Sequence, residues 1–216
     1  DEFTAAFVAR VNAIIMRPGL EWGVQMGTLV SADQRDRVLA HIADAVAKGA
    51  RVLAGGTARP DLGPYYVEPT VLTGVTPDMT CFGAETFGPV IAITPVSGDE
   101  EAIALANATE YGLNASVLSR DTRTAARVAA RLRAGTVNIN EGFAAAWGST
   151  RTPMGGMGAS GIGRRHGDEG LLKYTESQSI VTARLIGFGA PFGLSDEQWG
   201  DTVITAMGVM KKLGLK

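Results

Sequence analysis

The chain has 216 residues, a formal net charge of −2 and an isoelectric point of about 5.7, with 45% hydrophobic and 19% charged residues. This suits a well-buried core, and the acidic and basic residues are interspersed, so there is no basic field for nucleic acid and no nucleic-acid partner is expected. No run of about 18 apolar residues suggests a membrane span, the opening DEFTAAFVAR reads as neither signal nor transit peptide, and a cytoplasmic protein is expected. A single cysteine, Cys81, excludes an internal disulfide, and with only His41 and His166 beside it no structural metal site is expected.

Phe3, Phe7, Val11 and Ile14 recur at helical spacing from the first residues, so the chain reads as starting inside a larger protein. Ser31 with Gln34 forms a capping-box pattern and opens a helix that puts Val38, Ile42 and Val46 on one face and stops at Gly49. RVLAGG, YYVEPTVL and PVIAITPV are short apolar runs bounded by Gly or Pro and read as strands. Ser97 with Glu100 opens a further helix, NASVLS reads as a strand, DTRTAARVAARLRAG as a helix closed by Gly135, and TVNIN as a strand. This alternation predicts a three-layer α/β fold, a mainly parallel sheet with helices on both faces.

From Glu141 to Gly163 the pattern gives way to a long Gly-rich loop, of a length that is usually functional. A short helix near Glu169–Tyr174 follows, then a strand at about 179–184, then GFGAPFG as a linker. Ser195 with Gln198 caps a last amphipathic helix with Trp199, Val203, Met207 and Met210 on one face and Lys211 and Lys212 at its negative end. The expected organisation is therefore a main unit over 1–184 and a linker plus helix over 185–216.

Within the loop, GMGASG at 156–161 matches the dinucleotide pattern G-x-G-x-x-G. That pattern needs a buried strand before it and a helix opening on its last glycine. Here AAAWGSTRTPMG precedes it and IGRRHGDEG follows, so a phosphate-binding turn is not expected.

ETFGPVIAI from Glu85, YGLNASV from Tyr111, AGTVNIN from Ala134 and TPMGGMGASGIGR from Thr152 occur in that order. In this order and spacing they resemble the aldehyde dehydrogenase superfamily, and MGTLVSADQRDRV is similar to the segment that follows the catalytic strand there. The resemblance runs from Phe3 to about Arg184. It implies that the Glu85 carboxylate accepts hydrogen bonds from the nicotinamide-ribose hydroxyls, that Phe87 packs near the nicotinamide, and that Gln34 and Arg37 approach the other ribose. The family's nucleophilic cysteine, general-base glutamate and cofactor turn have no counterpart here; Cys81 lacks the nucleophile motif and reads as structural, and Arg165 stands where many members carry a Glu. These elements are expected upstream of Asp1, in an N-terminal cofactor domain of the same protein that would partner this chain. The chain alone is then expected to be inactive.

NINEGF followed by a loop and PMGGMGASGIGR looks like the succinate-semialdehyde dehydrogenases. That resemblance implies NAD or NADP as cofactor, with NADP favoured, a small aldehyde substrate whose tail meets Ser149, Arg151 and Trp147, and a homodimer or homotetramer joined through the 179–184 strand. Phe143, Trp147 and the alanines between them also suit a medium-chain or aromatic aldehyde, and the missing nucleophile permits a non-catalytic binding or assembly module.

Overall fold

The computed structural model describes residues 1–182 and 189–214, in two compact units, 1–173 and 174–216. The first opens with α1 (Glu2–Asn12) and α2 (Ala32–Ala47), followed by β1 (Arg51–Ala54), β2 (Thr70–Thr73), the short α3 (Thr80–Gly83) and β3 (Val90–Ile93). β2 is the central strand, and its alternating side chains serve both faces. Val71 packs with Val11 and Ala54, against Phe7 and Val8 of α1. Leu72 faces the other way, into a cluster with Ala45, Ala50, Val75 and Met79, while Val38 and Ile42 of α2 meet Val67 beside it. This is a local three-layer stack of helix, sheet and helix. Burying Leu72 fully contributes about 1.5–3 kcal/mol.

Next come α4 (Asp99–Ala106), β4 (Tyr111–Gly112), β5 (Asn114–Val117), α5 (Thr122–Ala129), β6 (Thr136–Ile139), α6 (Ala144–Gly148), β7 (Met157–Gly158) and α7 (Gly167–Leu172). β5 pairs with β6 in parallel, and β4 with β7 antiparallel.

Among the described residues, the mainly parallel sheet is corrected to three small sheets, with two parallel and two antiparallel strand pairings. β2–β3 and β5–β6 are parallel because a helix carries the chain back between them, whereas β1 and β2 are joined by a helix-free excursion and pair antiparallel. Other differences have local causes. Val46 is 46% exposed and Ala45 takes the buried place on α2. Ser97 donates to Glu101 at 2.6 Å rather than to Glu100, which instead receives Arg131. α5 ends at Ala129, short of Gly135, because the Asn107 side chain grips the following backbone, donating to Arg131 O and accepting from Arg133 N–H.

In the second unit α8 (Asp196–Lys212) has the expected capping box: Gln198 N–H donates to Ser195 Oγ at 3.2 Å and Ser195 N–H to Gln198 Oε1 at 3.1 Å. On its apolar side Trp199 and Val203 are half-buried, while Met207 and Met210 are exposed. Residues 179–182 carry no strand pairing, and Ala183 and Arg184 lie outside the described residues.

Between α2 and α3 a charged junction fixes the approach to the loop discussed next. Lys48 contacts Asp44 Oδ1 at 2.8 Å, and the Thr80 N–H, at the start of α3, donates to Asp44 Oδ2 at 2.8 Å. The Lys48 ammonium, then the Thr80 N–H, hold the Asp44 carboxyl well below its usual value, at about 2. A lowered folded-state pKa stabilises the fold above the ordinary carboxylate range and loses that contribution as pH falls toward the folded value. Asp44→Asn in the full-length protein is therefore expected to lower the denaturation midpoint at pH 7, and the gap to wild type to close between pH 4 and 2. A gap independent of pH would show that Asp44 does not titrate in this way.

Candidate functional site

The loop from Glu85 to Pro89 is fastened at several points. Gln34 Nε2 donates to Thr86 O at 2.9 Å and to Phe87 O at 3.0 Å. One helical turn further along α2, Val38 lies so close to the Gly88 Cα that a Cβ there would overlap its methyl groups. One more turn on, His41 Nδ1 lies 3.1 Å from Thr86 Oγ1. Thr70 N–H donates to Pro89 O at 2.7 Å and leads the chain into β3. Gln34, Val38 and His41 form one stripe of α2, at the i, i+4, i+7 spacing of a single helix face.

The Ser31–Gln34 pair is thus half a capping box. Ser31 Oγ accepts from Gln34 N–H at 3.2 Å, but the Gln34 side chain serves the loop rather than its own helix end. Phe87 sits at φ 51 and is 72% exposed. A left-handed conformation in a bulky residue persists only where its surroundings over-determine it. The two carbonyls held by Gln34 supply that restraint.

Glu85 and Phe87 border an open cleft of about 660 Å³. Its other walls come from Tyr111–Ala115, from Leu132–Ala134 and from Ala159 and Ser160. All four sequence motifs therefore meet at one cavity, although they are far apart along the chain. The exposed carboxylate and ring at its lip fit a sugar diol beside an aromatic heterocycle.

The GMGASG segment builds a wall of this cleft by close backbone approach. Tyr111 pairs with Gly158 and Gly112 with Met157, Gly112 N–H donates to Ser160 Oγ at 3.0 Å, and Ala159 N–H to Glu110 O at 2.9 Å. A Cβ on Gly135 would overlap the Gly155 carbonyl, and one on Gly158, at φ 57, the Glu110 carbonyl. No helix opens at Gly161. Arg164 closes the loop by donating to Gly156 O at 2.6 Å and Gly163 O at 2.9 Å.

The remaining predicted residues stand elsewhere. Arg37 is exposed on α2. Ser149 Oγ is 2.6 Å from Thr152 Oγ1 and lines a cavity of about 360 Å³ with Asn138, Ala146 and Met154. Arg151 lines a different one, of about 580 Å³, with Asp168 and Glu169. Trp147 is 60% exposed on α6. The structure thus brings Glu85 and Phe87 together, puts Gln34 behind them, and leaves Ser149 and Arg151 in separate cavities.

Cys81 is half-buried on α3 against the Ala45 cluster, and burial pushes its thiol up, the opposite of an activated nucleophile. Among the described residues no His, Cys, Asp and Glu group could hold a metal ion, and no helix is long and apolar enough to cross a membrane.

Sequence reasoning missed the ties of His41, Thr86, Asn107 and Asn138. Asn138, 4% exposed, donates to Asn114 Oδ1 at 2.9 Å and Gly142 O at 3.2 Å. Beside it Glu141 accepts from the N–H groups of Gly142, Phe143 and Ala144, and those of Phe143, Ala144 and Gly142 hold its carboxyl below the usual range. The signal for that turn was NEGF followed by three alanines, an acceptor placed just before a short helix.

Residues 1–180 match the model of the Aldehyde dehydrogenase family. A Mycobacterium tuberculosis protein provisionally named succinate-semialdehyde dehydrogenase [NADP(+)] 2 is 52% identical over 213 residues, covering 99% of this chain and 41% of its own length. A betaine aldehyde dehydrogenase of Cereibacter sphaeroides is 43% identical over 182 residues, 83% of this chain and 36% of its own. Among solved structures, the betaine aldehyde dehydrogenase of Staphylococcus aureus in complex with NAD+ superposes with a TM-score of 0.78 at 35% identity, covering 88% of this chain and 38% of that one. The chain therefore spans about 41% of the mycobacterial relative it matches, and that alignment, unlike the family match, takes in the second unit with α8. With motif order, cleft and all three comparisons in agreement, this chain belongs to the aldehyde dehydrogenase family.

Proposed function

We propose that the chain supplies the cofactor clamp and one substrate wall of an NAD(P)-dependent aldehyde dehydrogenase whose substrate is succinic semialdehyde. The observation that carries this reading is the convergence of the four motifs on one cleft with Glu85 and Phe87 at its lip. Glu85 accepts from the nicotinamide-ribose hydroxyls, Phe87 limits where the nicotinamide ring lies, and Gln34 holds the backbone between them in place. Bound there, the dinucleotide supplies the hydride acceptor. Nucleophile and general base belong to the part of the protein beyond this chain. NADP is favoured over NAD by the name of the mycobacterial relative, and the shared α8 segment supports placing this chain with that relative. A homodimer or homotetramer, joined through residues 179–184, completes the proposal.

A second reading rests on Phe143, 50% exposed, and Trp147, 60% exposed, on and beside α6, which suit a medium-chain or aromatic aldehyde. The test is an assay of the full-length protein with NAD+ and NADP+ over succinic semialdehyde, butanal and benzaldehyde. Preference for the charged substrate supports the first reading, and preference for benzaldehyde supports the second. Activity with none of them supports a binding module.

Ser149 and Arg151 are the proposed holders of the substrate tail. Because they line separate cavities, single substitutions separate them. Whichever residue binds the carboxylate should, on substitution as Ser149→Ala or Arg151→Met, lower kcat/KM for succinic semialdehyde by about 3- to 10-fold and spare butanal. That range applies to one charge-assisted contact near solvent. Equal losses for both aldehydes would indicate a distorted loop instead.

A further inference from the structure

His41 occupies a position on α2 that the packing would give to an apolar side chain, between Val38 and Ile42 of the core face and Ala45 beyond, and it is only 9% exposed. A buried imidazole is tolerated when it is hydrogen-bonded, and the partner found within 3.1 Å is Thr86 Oγ1, with either atom able to donate. Thr86 lies between Glu85 and Phe87. Gln34 holds the carbonyls of Thr86 and Phe87, but bonds to carbonyls alone leave that peptide free to rock about them. A second tie, through the Thr86 side chain, removes this freedom. It fixes the directions in which the Glu85 and Phe87 side chains leave the loop.

We propose that His41 is a positioning residue of the cofactor clamp, aligning Glu85 and Phe87 through Thr86. This rests on the dehydrogenase reading above. It deepens that reading by adding a buried residue on α2 that does not line the cleft.

The experiment uses the full-length protein and measures equilibrium binding of NAD+ and NADP+ by calorimetry, alongside steady-state kinetics and Tm. His41→Leu keeps the site filled but removes the polar tie. It should raise the cofactor Kd and cofactor KM by about 3- to 10-fold, the worth of one neutral hydrogen bond, with aldehyde KM and Tm little changed. His41→Asn should restore binding, since its amide reaches about where Nδ1 lies. Thr86→Val should reproduce the loss, and the double variant should be no worse than either single one.

Wild-type cofactor affinity in His41→Leu would overturn this proposal alone. A fallen Tm with parallel losses for cofactor and aldehyde, unrescued by His41→Asn, would reduce His41 to a core residue and overturn it too. A wild-type protein that binds neither dinucleotide would remove the dehydrogenase reading and this proposal with it.

Discussion

Gly135→Ala is expected to destabilise the full-length protein by about 2–4 kcal/mol, from backbone overlap plus a weakened hydrogen bond. A methyl at this position would meet the carbonyl oxygen of Gly155, with the Gly155 and Gly156 carbonyl carbons close behind. All three are backbone atoms, so no rotamer change relieves the contact. Gly135 N–H also donates to Gly112 O at 2.9 Å, which ties the start of β6 to β4. If the chain relaxes by moving the 155–161 loop instead, Ala159 and Ser160 leave the cleft wall and cofactor affinity falls with stability. Gly163→Ala is the control, because nothing lies within 4 Å of a Cβ there, and it should stay within about 0.5 kcal/mol of wild type. Denaturant titration of both variants decides it; equal midpoints for Gly135→Ala and Gly163→Ala would show that the loop is not held against β6 in solution.

Gly88→Ala should have the largest effect on cofactor binding. The new methyl would run into both γ-carbons of Val38, which is fully buried in the cluster with Ile42 and Val67. Overpacking of this kind costs about 1–3 kcal/mol, and the side of the contact free to move is the loop, so the cost should appear mainly as a displaced clamp. Cofactor Kd is expected to rise roughly 5- to 100-fold while the midpoint falls modestly. Val38→Ala opens room for the methyl. Combined with Gly88→Ala it should recover most of the cofactor affinity, although alone it costs packing in the cluster with Ile42 and Val67. A double variant as weak as Gly88→Ala would mean that Gly88 is needed for another reason than its approach to Val38.

Much of this molecule was legible in its sequence because local rules set it. Ser195 and Gln198 cap α8 as the capping-box pattern requires, and the α2 start at Ser31 follows from the same chemistry, a hydroxyl meeting an orphan N–H. The motif order from Glu85 to Arg164, and the lack of a helix opening on the last glycine of GMGASG, could also be read directly from the sequence. Partners distant in the chain could not be read. The Gln34 side chain, which the local pattern assigns to its own helix end, reaches loop carbonyls 52 and 53 residues away. The end of α5 is set by Asn107 from before β4. Strand direction depended on which connections carried a helix across, and the separation of Ser149 from Arg151 depended on how α6 and α7 border different cavities. Sequence alone determines capping, periodicity and glycine placement, because these are satisfied within a turn or two of chain. Only the tertiary structure decides which buried donor meets which acceptor, because many acceptors compete for each donor and packing brings only a few within 3 Å.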